Sequence, residues 1–178
     1  MKPLADHMAG YAAYHRDERN KLTHFFGVPT IIFAVLVLMS LARLPVAGME
    51  ISLAVAFMGT MMVYYLMLDL ALGLAMLAIL VPVLWLADLV ARMELSTALT
   101  VAAATFFGGW ALQLLGHKIE GNRPALLDNL FQMLVAPIFL VAELAFALGA
   151  KRDLHAEVER RVLTGDYSAK KDARPQAA

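Results

Sequence analysis

Five apolar segments organise this chain, at about Val28–Leu44, Ile51–Leu68, Leu70–Val90, Leu95–Leu115 and Leu130–Gly149. Each approaches the ~20 residues that an α-helix needs to cross a hydrocarbon layer. In lipid, backbone N–H and C=O groups must be satisfied internally, so segments of this length predict helices. The breaks between the segments are short: "ARLPVAGME", a lone Asp69, "ARMELS" and "GHKIEGNRPALLDN". Such breaks predict neighbouring helices packed as antiparallel hairpins. Beyond Gly149 the pattern stops, and "KRDLHAEVERRVLTGDYSAKKDARPQAA" reads as a charged surface helix followed by a loose tail. The expected fold is all-α, a polytopic membrane helical bundle with residues 1–150 embedded and 151–178 at the surface.

Charge placement sets the orientation. Lys2, Arg16, Arg19 and Lys21 precede the first segment, and Lys151, Arg152, Arg160, Arg161, Lys170, Lys171 and Arg174 follow the last. Both ends therefore compete for the cytoplasmic side, which requires an even number of crossings. Gln132, Pro137 and Glu143 interrupt the fifth segment. The expectation is four transmembrane helices plus a membrane-buried or fifth helix that is re-entrant or interfacial. Four crossings bring "YHRDERNKLTHFFGVP" and "QLLGHKIEGNRPA" to the same membrane face, so two polar islands can meet there.

Composition agrees. Of 178 residues, 61% are hydrophobic and 17% charged, beyond the 45–50% apolar usage of soluble domains. Fifteen Lys plus Arg balance fifteen Asp plus Glu, and no basic stripe with interleaved aromatics suggests a nucleic-acid partner. With no cysteine, disulfide scaffolds, zinc fingers and thiol nucleophiles are excluded, and any metal must use His or oxygen ligands. The first 28 residues are polar and mixed in charge, unlike a cleaved signal peptide. No phosphate loop, Ser nucleophile motif or dinucleotide fingerprint is present.

The chemistry rests on histidines. His7 and His155 lie in polar surroundings that need no functional explanation, whereas His15 and His24 bracket Asn20 before the first segment and His117 opens the second island. On one continuous helix, nine residues make two and a half turns, so His15 and His24 would face opposite ways. A shared site demands a turn between them, with Asn20 or Thr23 as an N-cap. Alternatively, Asn20 merely caps a helix while the histidines anchor at the headgroups. Gln113, His117 and Glu120 follow at i, i+4 and i+7 on one helical face, and a His and a Glu three apart can ligate one metal. Glu120 equally suits a surface ion pair with Lys118 or Arg123. "HRDERN" faintly echoes "HKIEGN", making Glu18 a minor ligand candidate. Asp69 suits a turn between helices, Asp88 a helix end near Arg92, and Asp128 or Asn129 the cap of the last apolar helix. These residues leave three readings open: a metal enzyme with three histidines and one glutamate at one membrane face, a small transporter or channel, and a scaffold with an interfacial polar cap.

A resemblance narrows them. Tyr14, His15, Asn20, His24, Val28 and Pro29, followed by Gln113, Gly116, His117, Glu120, Arg123, Pro124, Ala125, Leu126, Asp128, Asn129 and Leu130, resemble the iron(II)-dependent 2-hydroxy fatty acid dioxygenases over about residues 10–150. The resemblance implies α-oxidation of long-chain 2-hydroxy fatty acids with O2 and Fe(2+), giving the acid one carbon shorter plus CO2. It implies His15, His24 and His117 as catalytic metal ligands with Glu120 as a fourth, and Asn20, Gln113, Lys118 and Arg123 as substrate-binding or supporting residues. The fungal pattern has one more residue between the second-island His and Glu than His117 and Glu120 show, which on a helix rotates Glu by about 100°. A multi-pass protein of the inner membrane if bacterial, or of the endoplasmic reticulum if eukaryotic, follows, with membrane lipid around it, the site on the cytoplasmic face, and room for oligomers.

Overall fold

The structure is a computed structural model and describes residues 2–121 and 131–167. In chain order its elements are α1 (Lys2–Ala12), α2 (Glu18–Leu41), β1 (Arg43–Val46), β2 (Met49–Ser52), α3 (Leu53–Leu68), α4 (Leu70–Ala91), α5 (Leu95–Glu120), α6 (Phe131–Ala147) and α7 (Arg152–Thr164). By length and composition α2, α4 and α5 can each cross a membrane, and α6 with α7 makes a fourth candidate broken by a 115° bend. Three or four crossings therefore fit, where four plus a buried helix were expected. The difference lies in α3, which has 16 residues because the start of its apolar segment is used in β2.

Local chemistry sets the boundaries. The Asp17 carboxylate accepts from Arg19 N at 2.8 Å and caps α2, so the helix begins ten residues before the apolar run. This corrects the expected cap at Asn20 or Thr23. Ser52 and Asp69 cap α3 and α4 by accepting from Val55 N and Leu72 N. Asp69 also receives Lys151 Nζ at 2.6 Å, which holds the α6–α7 bend against the α3–α4 turn. Asp88 sits near the end of α4, paired with Arg92 at 2.7 Å and with Arg43. Between β1 and β2, Ala47 and Gly48 both have positive φ, as in the tight turns that favour a twisted hairpin.

Helices α2 and α5 form the central seam. A Cβ at Gly109 would meet Ile31 and the Gly27 carbonyl, and one at Gly27 would meet Gln113. Small residues at such points let backbones approach closely, the usual basis of helix association in lipid. Amphipathic α1 buries Leu4, Met8 and Tyr11, and α7 docks on it through Leu154 and Val158. An Arg161–Asp6 pair at 3.4 Å secures that contact. Helix α6 reaches the ends of two others: Leu134 O accepts from Tyr65 near the end of α3, and Glu143 pairs with Lys21 in the first turn of α2. Lys151 then pairs with Asp69. Helix α6 therefore lies across one end of the bundle, and its charged Glu143 is explained by the 2.8 Å contact to Lys21.

Candidate metal centre

The chain turns between Ala12 and Glu18, and His15 sits in that turn. This reversal brings His15 against His24, one and a half turns into α2, and both against His117 near the end of α5. Their side chains are buried, at 2%, 3% and 5% exposure. Ring centroids are 4.5 Å apart for His15–His24, 5.1 Å for His15–His117 and 5.0 Å for His24–His117. One nitrogen from each lies within 4.8 Å of the others.

Hydrogen bonding fixes two of the tautomers. His15 Nδ1 lies 2.8 Å from Tyr11 O, and His24 Nδ1 lies 2.9 Å from Asn20 O. A carbonyl can only accept, so each Nδ1 carries the proton and each Nε2 presents a bare lone pair. Those two Nε2 atoms are 3.1 Å apart. Lone pairs so placed repel unless a cation lies between them. Burial, reinforced by the neighbouring His24, pushes the His15 imidazole down to about 3, so at neutral pH that cation is not a proton on His15. The Nδ1 of His117 is also buried without a hydrogen-bond partner. A metal ion satisfies this donor set, since imidazole is a good ligand for iron, zinc, copper or nickel. Three protein ligands leave positions open for exogenous molecules.

Glu120 holds the turn that carries His15. Its Oε1 accepts from Arg16 N at 2.5 Å and Asp17 N at 3.2 Å, while Oε2 accepts from the Asn20 side-chain amide. Both carboxylate oxygens thus have donors from the α1–α2 turn and the start of α2. Asn20 is fully buried, and Thr23 Oγ1 donates to its carbonyl at 2.7 Å. One turn along α5 from His117, Gln113 is buried against Gly27. The spacing of Gln113, His117 and Glu120 does place all three toward α2. Lys118 is exposed, and Arg123, Pro124, Asp128 and Asn129 lie outside the described residues. Glu18 is exposed and pairs with Lys21 at 3.2 Å, away from the histidine group.

Tyr11 was not foreseen from the sequence. Its ring stacks on His15 with centroids 3.9 Å apart and planes within 4°, while its carbonyl orients the same imidazole. Phe139 of α6 packs against Tyr11 at 4.5 Å and lies 6.4 Å from His15. The signal was present: Tyr11 continues the apolar face of Leu4 and Met8 and precedes His15 by one helical turn.

A helical bundle with crossing-length apolar helices and a buried trio of imidazoles at one end defines a membrane-type helical protein with a histidine group that could hold a metal ion. The family model described as "2-hydroxy-palmitic acid dioxygenase Mpo1-like" matches residues 1–148. The chain belongs to this family and is an enzyme of the dioxygenase class. It is similar to the 2-hydroxy-palmitic acid dioxygenase MPO1 of Saccharomyces cerevisiae, with 34% identity over 158 residues, covering 88% of this chain and 87% of the yeast protein. No solved structure matches it.

Proposed function

We propose that the protein is an iron(II)-dependent dioxygenase that converts long-chain 2-hydroxy fatty acids to the acid one carbon shorter, CO2 and water. The observation that carries this reading is the pair of Nε2 lone pairs facing each other at 3.1 Å beside a third buried imidazole. Similarity to a yeast protein named for 2-hydroxy-palmitic acid supports the substrate class. His15, His24 and His117 would hold the iron, and Glu120 would position the turn. When bound, iron(II) would supply a Lewis-acidic, redox-active centre with open positions for a hydroxy acid and O2.

The remaining chemistry belongs to the chain. The carbonyls of Tyr11 and Asn20 orient two imidazoles, and Tyr11 and Phe139 screen them from water. Conversion of RCH(OH)COOH and O2 to RCOOH, CO2 and H2O balances atoms and supplies all four electrons from the substrate, so no 2-oxoglutarate is consumed. Lys118 and Arg123 are the proposed partners of the carboxylate, and Asn20 and Gln113 the supports of the ligands. Residues 1–150 form the catalytic unit and 151–178 its surface appendage, with α2, α4 and α5 as crossings, the 16-residue α3 as a shorter fourth, and the site on the cytoplasmic face. Purified protein supplied with Fe(II), O2 and 2-hydroxypalmitate should yield pentadecanoate. Folded, iron-loaded protein that forms no shortened acid would refute the proposal.

Glu120 gives a separate test. Glu120→Ala should weaken metal affinity about 10–100-fold, the usual cost of removing a group that orients ligands, and excess metal should restore full occupancy. Glu120→Gln keeps an acceptor for the backbone of Arg16 and Asp17 and should lose less. Metal loss as complete as that of a histidine variant would instead make Glu120 a direct ligand.

A further inference from the structure

Helices α2, α4 and α6 line an apolar cavity of about 160 Å³. Each of these helices has an internal proline, at Pro29, Pro82 and Pro137. Proline removes a backbone donor and displaces the preceding turn, so these three helices do not pack flush. Pro29 and Pro137 themselves line the space. The cavity begins one residue away from the centre on two helices: Phe25 follows His24 in α2, Leu140 follows Phe139 in α6, and both line it. From there Val28 and Ile32 carry one wall along α2, while Met76, Ile79 and Val83 carry the other along α4. From His24 to Ile32 the wall descends about 12 Å, the length of roughly ten extended methylenes. At its side, Ile79 and Leu144 are 43% and 47% exposed, so the groove opens laterally where a membrane would lie. A second cavity, which His15 itself lines, has Arg16, Lys21, Glu143 and Glu159 among its walls.

We infer that the α2–α4–α6 groove is the binding site for the substrate's acyl tail, entered sideways from the bilayer, with Ile32 and Val83 at its distal end setting the chain length. The inference rests on the proposed function for the identity of the tail. A polar head held at the histidines leaves an apolar tail to run down the groove, whose lining residues are all apolar. A long-chain acid then stays partly in lipid while its first two carbons reach the imidazoles.

The test uses full-length protein in lipid nanodiscs and a 2-hydroxypalmitate carrying a photoreactive diazirine near its terminal carbon. Labelling of Ile32, Ile79 or Val83 that excess 2-hydroxypalmitate suppresses would support the groove. Labelling scattered over the lipid-facing surface, or displaced equally by phospholipid, would overturn it. Val83→Phe should lower the kcat/KM ratio of 2-hydroxypalmitate to 2-hydroxydecanoate at least about tenfold, as exclusion of a few methylenes from an apolar site implies. An unchanged ratio in folded Val83→Phe protein would also overturn the groove. Crosslinking is read without turnover, so specific labelling by a protein that forms no shortened acid supports the groove and refutes only the dioxygenase proposal.

Discussion

Replacing His24 with alanine should strip the purified protein of its metal and reduce formation of pentadecanoate from 2-hydroxypalmitate by more than about a hundredfold. Changes to groups that merely orient a ligand already cost 10–100-fold, and His24 presents its lone pair directly toward that of His15 at 3.1 Å. Without it only two imidazoles remain of a three-membered group. Metal analysis before and after the substitution gives the first readout and product analysis the second. The same change removes an unfavourable lone-pair contact from the metal-free protein, which offsets part of the cost of the lost Nδ1 bond to Asn20 O and of the space left behind. The combination of lost metal and lost activity in protein that still folds separates a ligand from a core residue. His7→Gln is the matched control and should retain both metal and activity. Normal iron content in His24→Ala protein would sink the three-histidine centre.

The second large effect is expected from Gly116→Ala. On propensity alone alanine should improve a helix by about 1 kcal/mol. Steric contact reverses the sign, because a Cβ at Gly116 would fall on Thr23 Oγ1 and Asn20 Oδ1. Neither group can easily yield: Thr23 is tied to the Asn20 carbonyl, and the Asn20 amide donates to Glu120. Overpacking of this kind costs about 1–3 kcal/mol. Its relief would push α2 from α5 at the level where His24 and His117 must meet. Sites of this type tolerate displacements of only about 0.5 Å, so metal affinity should fall at least about tenfold and the melting temperature by several degrees. Gly108→Ala, on the same helix with open space around its would-be Cβ, should do neither. Equal behaviour of the two variants would show that close approach at Gly116 is unimportant.

Much of this was legible in the chain. Apolar length alone marked the cores of α2 to α6, and the nine-residue interval between His15 and His24 required a reversal that the structure contains. Its place was misjudged because Asp17 and Asn20 are both good cap residues, and only the Glu120 contact, formed across more than a hundred positions, decides between them. The first helix escaped notice because Asp6 and His7 dilute its composition while Leu4, Met8 and Tyr11 keep one face apolar. Nor did "ARLPVAGME" carry the Asn-Gly or Asp-Gly signal of a tight hairpin. The spacing of His117 and Glu120 was informative in a way the residue types were not: three positions turn the carboxylate toward the α1–α2 turn, where its oxygens meet Arg16 N, Asp17 N and the Asn20 amide.

The bond from Arg16 N to Glu120 spans 104 positions. A ribosome adding about 5–20 residues per second needs on the order of 5–20 s to make that stretch, so His15 and His24 emerge long before the helix that completes their pocket. The three-histidine group is therefore completed only late in synthesis, once α5 has docked. A nascent chain stalled before His117 carries two of the three imidazoles and none of the clasp that orients them.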